Sequence, residues 1–378
     1  LTFAISLTVI LRPFVKLGLE SIAYRDLISH KEKTNEILSS TFWPVLICGI
    51  FTYISLIIVC VFLDYSNEDL FITITVATVL LFEAFTIIKV FFHSRIKAKL
   101  TSISRLISVV IISSIKITLI YFDASLYYFA LVYSLDFLIT IVFYIVFFKW
   151  KFDFTFISNF SKSRALFQLS NSWPLLLSSI STNMSFKINY LMIGSMLGSY
   201  ELGLYSVGVK IPEALNVVPM LISSSLFPAI INMKNKSNFD YQNRLKQFYF
   251  FTTWMGLILT FSLIFFSDYI IALFGPEYSE SKMILVNYSV LVFFNFQWIA
   301  RGKWVIAENL QKKSFLFILS SVPILVILNF IFIPKYGIQG SLYSIIISQF
   351  ISIYIITNFD KKFRFSNLML IKSIFNFK

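Results

Sequence analysis

The sequence predicts an all-α integral membrane protein, its helices packed around a central cavity, with eleven spans present. Three observations carry this. First, 57% of the 378 residues are hydrophobic and only 13% are charged, about half the charge of a soluble domain. Mean hydropathy is +0.80. Second, eleven stretches have the ~20 mostly apolar residues that a bilayer core requires: 1–19, 42–63, 70–90, 103–122, 126–148, 173–193, 209–231, 248–268, 283–300, 315–333 and 338–357. Third, the basic residues alternate between sides. Of 32 Lys and Arg, 25 fall in alternate connections and the tail, five fall within spans, and only Lys282 and Lys335 fall in the remaining connections. The positive-inside rule puts connection 20–41 and the C-terminus in the cytoplasm.

This distribution accounts for the net charge of +13 without nucleic acid, which is excluded as a partner. Cys48 and Cys60 lie in one predicted helix, so no disulfide framework is expected. His30 and His93 are read as loop residues, and no metal site or other cofactor is expected. There is no Gly-rich phosphate loop followed by Lys and Ser/Thr, and no catalytic constellation, so the chain is read as non-enzymatic. The chain begins at Leu1 inside an apolar run, with no basic segment or cleavage pattern ahead of it. It reads as lacking its own N-terminus.

The stretch 170–231 organises the rest. It reads as two spans joined by an outward turn at 194–203. On helical spacing, Leu177, Ile180, Met184, Ile188 and Leu191 form an apolar face. Ser178, Thr182, Ser185 and Asn189 form one polar stripe; Ser179, Asn183, Lys187 and Tyr190 form its neighbour. Polar groups at bilayer depth face a bundle interior or a wet cavity. The next span carries Lys210 and Glu213, then Pro212, Pro219 and Pro228, tolerated where neighbours satisfy the freed carbonyls.

Here the sequence resembles the multidrug/oligosaccharidyl-lipid/polysaccharide exporter superfamily, and within it the Wzx-type O-antigen and polysaccharide flippases. The residues that carry the likeness are Pro174, the block from Lys187 to Gly194, Leu202-Gly203-Leu204-Tyr205-Ser206 and Ser225-Leu226-Phe227-Pro228. Later echoes are Phe274-Gly275-Pro276-Glu277-Tyr278 and the run from Ile333 to Ser341. Asn189 stands where many members carry Asp. The resemblance implies twelve helices in all, one absent here, with lobes at 1–150 and 165–378 related about an axis along the membrane normal. It implies translocation of undecaprenyl-diphosphate-linked oligosaccharide across the bacterial inner membrane by alternating access. A polysaccharide polymerase and a chain-length regulator would be the protein partners, beside the lipid-linked substrate and the bilayer.

Five cations lie within predicted spans: Arg12, Lys16, Lys116, Lys187 and Lys210. Each costs ~2.5–3.5 kcal/mol at a helix centre. They line a cationic cavity for an anionic head group, with Asn183 and Asn189 beside Lys187, or they snorkel to the interface. Glu83, Asp136 and Glu213 pair with these cations or act as an ion-linked switch. Tyr127, Tyr128, Tyr200, Tyr205 and Tyr278 are placed near the outer interface, as belt residues or as rings that stack on sugars. Two rivals stand beside the flippase: a cation-coupled multidrug exporter, which should prefer acidic lumen residues, and a membrane polymerase or glycosyltransferase, which should carry a sizeable outward catalytic loop.

Overall fold

A computed structural model describes residues 1–63, 65–152, 155–234, 238–308 and 310–375. Lys236 and Lys378, both counted above among the inward charges, lie outside the described residues. So do the side chains of Ser178, Ser225, Phe227, Pro228, Lys234 and Lys312. The chain is helical along most of its length, and the described residues contain no strand. A bilayer core offers no water to unpaired backbone groups, so apolar segments of this length close their hydrogen bonds internally.

The first half contains α1 (Thr2–Lys16), α2 (Leu19–Ser29), α3 (Thr34–Phe62), α4 (Asn67–Ala77), α5 (Val79–Phe82), α6 (Ile87–Ser94), α7 (Ala98–Tyr121) and α8 (Leu126–Lys151). The second contains α9 (Lys162–Met196), α10 (Ser199–Ala214), α11 (Val217–Lys234), α12 (Asn238–Phe265), α13 (Ser267–Ala272), α14 (Ser281–Ala307), α15 (Gln311–Phe350) and α16 (Lys361–Phe375). At 1.5 Å per residue, α7 and α8 run about 36 and 39 Å, enough to cross a bilayer core.

By length and hydropathy, seven described helices suffice as membrane spans, or eight when α1 and α2, bent by 44°, are taken as one. The sequence divides the continuous run Leu319–Phe359 into two spans. The structure gives that division a physical basis at Gly337, whose φ of 57° and ψ of −138° are non-helical. Only glycine enters that region without strain.

Several connections are shorter than expected. The predicted outward turn at 194–203 contracts to Leu197 and Gly198, because α10 already begins at Ser199. The second predicted span, 209–231, is interrupted at 215–216, between α10 and α11, two residues ahead of Pro219. His93 is not in a loop. It sits in the last turn of α6, with Nε2 3.2 Å from the Thr101 hydroxyl. Arg301, counted with an inward connection, is buried within α14.

The chain forms two compact units, Leu1–Lys187 and Ile188–Lys378. The first is built on an aromatic core in which Phe42, Phe91, Phe92 and Phe148 are almost wholly buried. The start of α9 belongs with this unit. The Thr41 hydroxyl donates to Gln168 at 3.1 Å, and Arg164 pairs with Glu36 at 3.2 Å. The core of the second unit includes Tyr241, Tyr249, Trp304, Phe363 and Leu370.

Candidate functional site

Two membrane segments of the first unit are broken, and their breaks hold its charged residues. The first break separates α1 from α2. Leu17 and Gly18 both take positive φ, 53° and 69°. A Cβ on Gly18 would meet the Leu176 nitrogen at 2.6 Å and the Ser172 carbonyl at 2.7 Å. Only glycine satisfies both the backbone angle and this approach. The second break is the 3₁₀ turn Glu83–Thr86 between α5 and α6. Interrupted helices at membrane depth are tolerated where they line a cavity or are buried in protein.

Each break displays a ladder. Arg12 and Lys16 share one face of α1, and Glu20, four residues further on, lies past the break on α2. Glu83 and Thr86 open and close the 3₁₀ turn, where a three-residue step eclipses side chains, and Lys89 follows on α6. The two ladders meet. Glu83 is fully buried; Arg12 bonds one of its carboxylate oxygens through Nε, and Lys16 approaches the other at 3.3 Å. Lys16 also binds Glu20 at 2.9 Å, and the Thr86 hydroxyl donates to Glu20 at 3.1 Å. Arg12 further lies over the Phe137 ring, 5.0 Å from its centroid.

These groups line a cavity of about 330 Å³ together with Lys89, Arg105, Tyr133, Asp136, Thr140 and Tyr144. Arg105 contacts both Asp136 oxygens, at 2.9 and 3.0 Å. Ser108 donates to the same carboxylate at 2.6 Å. Four cations thus face three carboxylates. The side chains of Arg12, Lys16 and Glu20 retain 28%, 29% and 40% exposure while Glu83 has none, so an entering molecule would meet two cations and one carboxylate ahead of the buried acid. An excess of partly exposed cations around a buried acid suits an anion with several oxygens.

The structure brings Arg12, Lys16 and Glu83 into direct contact and sets Asp136 in the same cavity. Asp136 pairs with Arg105 rather than with a span lysine. Lys116 is exposed on α7 and is not part of the cavity lining. Lys187 is half-buried on α9 and is likewise absent from that lining. Asn183 donates to the Ser179 carbonyl at 2.8 Å.

The remaining candidates belong to the second unit. Lys210 is exposed, with its ammonium 5.9 Å from the Phe274 centroid. Asn189 is buried and accepts from Asn329 at 2.6 Å. Glu213 lies close to the Tyr190 and Tyr288 side chains. Tyr205 is 1% exposed and packs edge-on against Tyr190 at 5.1 Å, so its ring is not open to stack on a sugar.

Sequence reasoning missed Glu20, Thr86, Lys89 and Arg105 as cavity residues, because it assigned Glu20, Lys89 and Arg105 to connections. The four-residue repeat 12, 16, 20 was a signal available without coordinates.

Comparison with known proteins follows this geometry. A family model described as polysaccharide biosynthesis protein matches residues 1–234. The capsular polysaccharide biosynthesis protein CapF of Staphylococcus aureus is 24% identical over 198 residues, 52% of this chain and 50% of that protein. The chain spans about half the length of this curated relative. Among solved structures, the fold is similar to an inward-facing multidrug resistance MATE family transporter of the MOP superfamily (TM-score 0.69, 15% identity, 99% of this chain and 88% of that one). It is also similar to an outward-facing MATE family transporter (TM-score 0.56, 15% identity, 99% and 85%). A eukaryotic MATE transporter matches at TM-score 0.62 and 16% identity, covering 97% and 89%.

Proposed function

Because the chain belongs to the polysaccharide biosynthesis protein family and has the fold of MOP-superfamily transporters, we propose that it carries undecaprenyl-diphosphate-linked oligosaccharide across the bacterial cytoplasmic membrane. The cavity of the first unit receives the diphosphate. Arg12 and Lys16, paired with Glu83, transfer part of their hydrogen bonding to phosphate oxygens, and Glu83 keeps the cations in place between cycles. A guanidinium and an ammonium suit this exchange, since Arg binds phosphate bidentately and Lys acts as a mobile point charge. The lipid tail stays in the bilayer, and the C-terminus is cytoplasmic.

One observation carries the reading: four cations against three carboxylates in one membrane-depth cavity, built on two broken segments. Alternating access is supported by the similar transporters having been solved in inward- and outward-facing conformations. Lys187, Lys116, Lys210, Asn183 and Asn189 are proposed as later contacts along the path, with Glu213 as a coupling or pairing group. A polymerase and a chain-length regulator are the proposed protein partners.

The test is translocation in proteoliposomes with fluorescently tagged lipid-linked oligosaccharide. Protein-dependent movement between leaflets is expected, with at least a tenfold loss in Arg12→Gln/Lys16→Gln. No movement of any lipid-linked sugar overturns the proposal. The fully buried Glu83 favours a second reading, cation-coupled drug export, and drug efflux abolished by Glu83→Gln would establish it instead.

A further inference from the structure

Beyond the transport path, α16 presents a surface of a different kind. The chain leaves the run Leu319–Phe359, passes Asp360 in extended conformation, and starts α16 at Lys361. One face of α16 is fixed inside the second unit. Phe363 packs edge-on against Trp304 of α14 at 5.4 Å and against Phe317 of α15 at 4.9 Å. Ser366 and the Tyr249 hydroxyl of α12 are 3.1 Å apart. Asn367 accepts from the buried Arg301 and donates to Thr357 at 2.9 Å and to Asn358 at 2.8 Å.

These contacts set both the rotation and the level of the helix. It lies near the first turns of α12 and α15 and the last turns of α14, on the basic, cytoplasmic side of the chain.

The opposite face is unpartnered within the described residues and mixes two chemistries. Phe365, Leu368 and Ile371 are 46–50% exposed, and Lys361, Arg364 and Lys372 are exposed among them. At 100° per residue these six occupy an arc of about 120°. No acid pairs with the three cations among the described residues. An apolar strip interleaved with basic side chains, at the end of a membrane span, is the pattern of a helix lying in the headgroup layer. Trp304 and Tyr241 line a cavity beside Lys361 and Lys362.

We propose that the outer face of α16 rests on the anionic phospholipids of the cytoplasmic leaflet. Lys361, Arg364 and Lys372 bind headgroup phosphates, and Phe365, Leu368 and Ile371 insert among the upper acyl carbons. Each basic residue near an anionic surface contributes about a fivefold factor, so three give on the order of 100-fold.

Amide hydrogen exchange of the whole protein in nanodiscs tests this. Discs of pure phosphatidylcholine are compared with discs containing phosphatidylglycerol. Exchange in α16 is expected to slow by about ten- to 100-fold in the anionic discs at low salt, and the effect should shrink at high salt. Lys361→Gln/Arg364→Gln/Lys372→Gln keeps the buried face and should lose the lipid dependence. Phe365→Ser/Leu368→Ser should keep the salt dependence with weaker protection. Equal exchange in both discs overturns the proposal, as does a lipid effect retained by the triple variant. Equal protection by soluble glycerol phosphate in neutral discs also overturns it, since that marks a phosphate pocket rather than a leaflet surface.

Discussion

Arg12 and Arg301 both bring a guanidinium in among apolar helices, and their surroundings are opposite. Arg12 shares the buried carboxylate of Glu83 with Lys16, in a cavity, and 28% of its side chain remains exposed. Arg301 is 1% exposed and is held by neutral groups: the Ile353 carbonyl at 2.8 Å, the Thr357 hydroxyl at 3.4 Å and the Asn367 side chain. The Ile353 carbonyl comes from a π-helical turn, Ile351–Ile355, a widening that frees backbone oxygens.

The difference separates two uses of one functional group. Arg301 is a fixed clamp, since every group around it belongs to the fold and nothing can take its place. In the proposed function, Arg12 has a carboxylate that an entering anion would replace, and Lys16 is a second cation to keep the acid neutralised meanwhile.

Substitutions break or sharpen this contrast to different degrees. Arg301→Leu should act as a structural lesion, costing about 2–4 kcal/mol because it strands the Ile353 and Asn367 acceptors in a dry site. Thermal unfolding in detergent would report it, and α16 amides should exchange faster. Gly18→Ala should cost about 2 kcal/mol through the Leu176 and Ser172 backbone contacts and the positive φ. It should also lower transport, because it moves the break that positions Lys16.

Glu83→Gln should cost about 1–2 kcal/mol by leaving Arg12 and Lys16 side by side with their acid neutralised. The same change should be smaller in a Lys16→Gln background, a coupling that a double-mutant cycle measures directly. Asn329→Ala should remove the bond to Asn189 for about 1 kcal/mol. Lys116→Gln should fall within about 0.5 kcal/mol of the parent, as an exposed residue on α7.

Much of the fold was legible. Composition and the alternation of basic connections identify a multi-pass helical membrane protein, because hydrophobic length and charge asymmetry are properties of the chain itself. The reversal at Gly337 was readable from Pro334 and Gly337 after an apolar run.

The site was legible only in part. Arg12, Lys16, Glu83 and Asp136 stand out as charges within apolar spans. Their grouping depends on helix breaks, and a hydropathy reading treats a broken span as a continuous one. Glu20, Lys89 and Arg105 were lost because a residue at a span's edge looks like a loop residue until the helix is seen to continue through it. Arg301 was lost for the same reason. The burial of Tyr205 was not legible, because an aromatic near a predicted interface carries no sign of which way its helix face turns.

The central claim is that Arg12 and Lys16 recognise a diphosphate by taking its oxygens in exchange for Glu83. The most direct measurement is binding of undecaprenyl diphosphate and undecaprenyl monophosphate to the purified protein and to Arg12→Gln/Lys16→Gln, at fixed low salt. A preference of at least tenfold for the diphosphate, lost in the variant, is the predicted result. Equal affinity for the two lipids, or a preference that survives the double substitution, would contradict it.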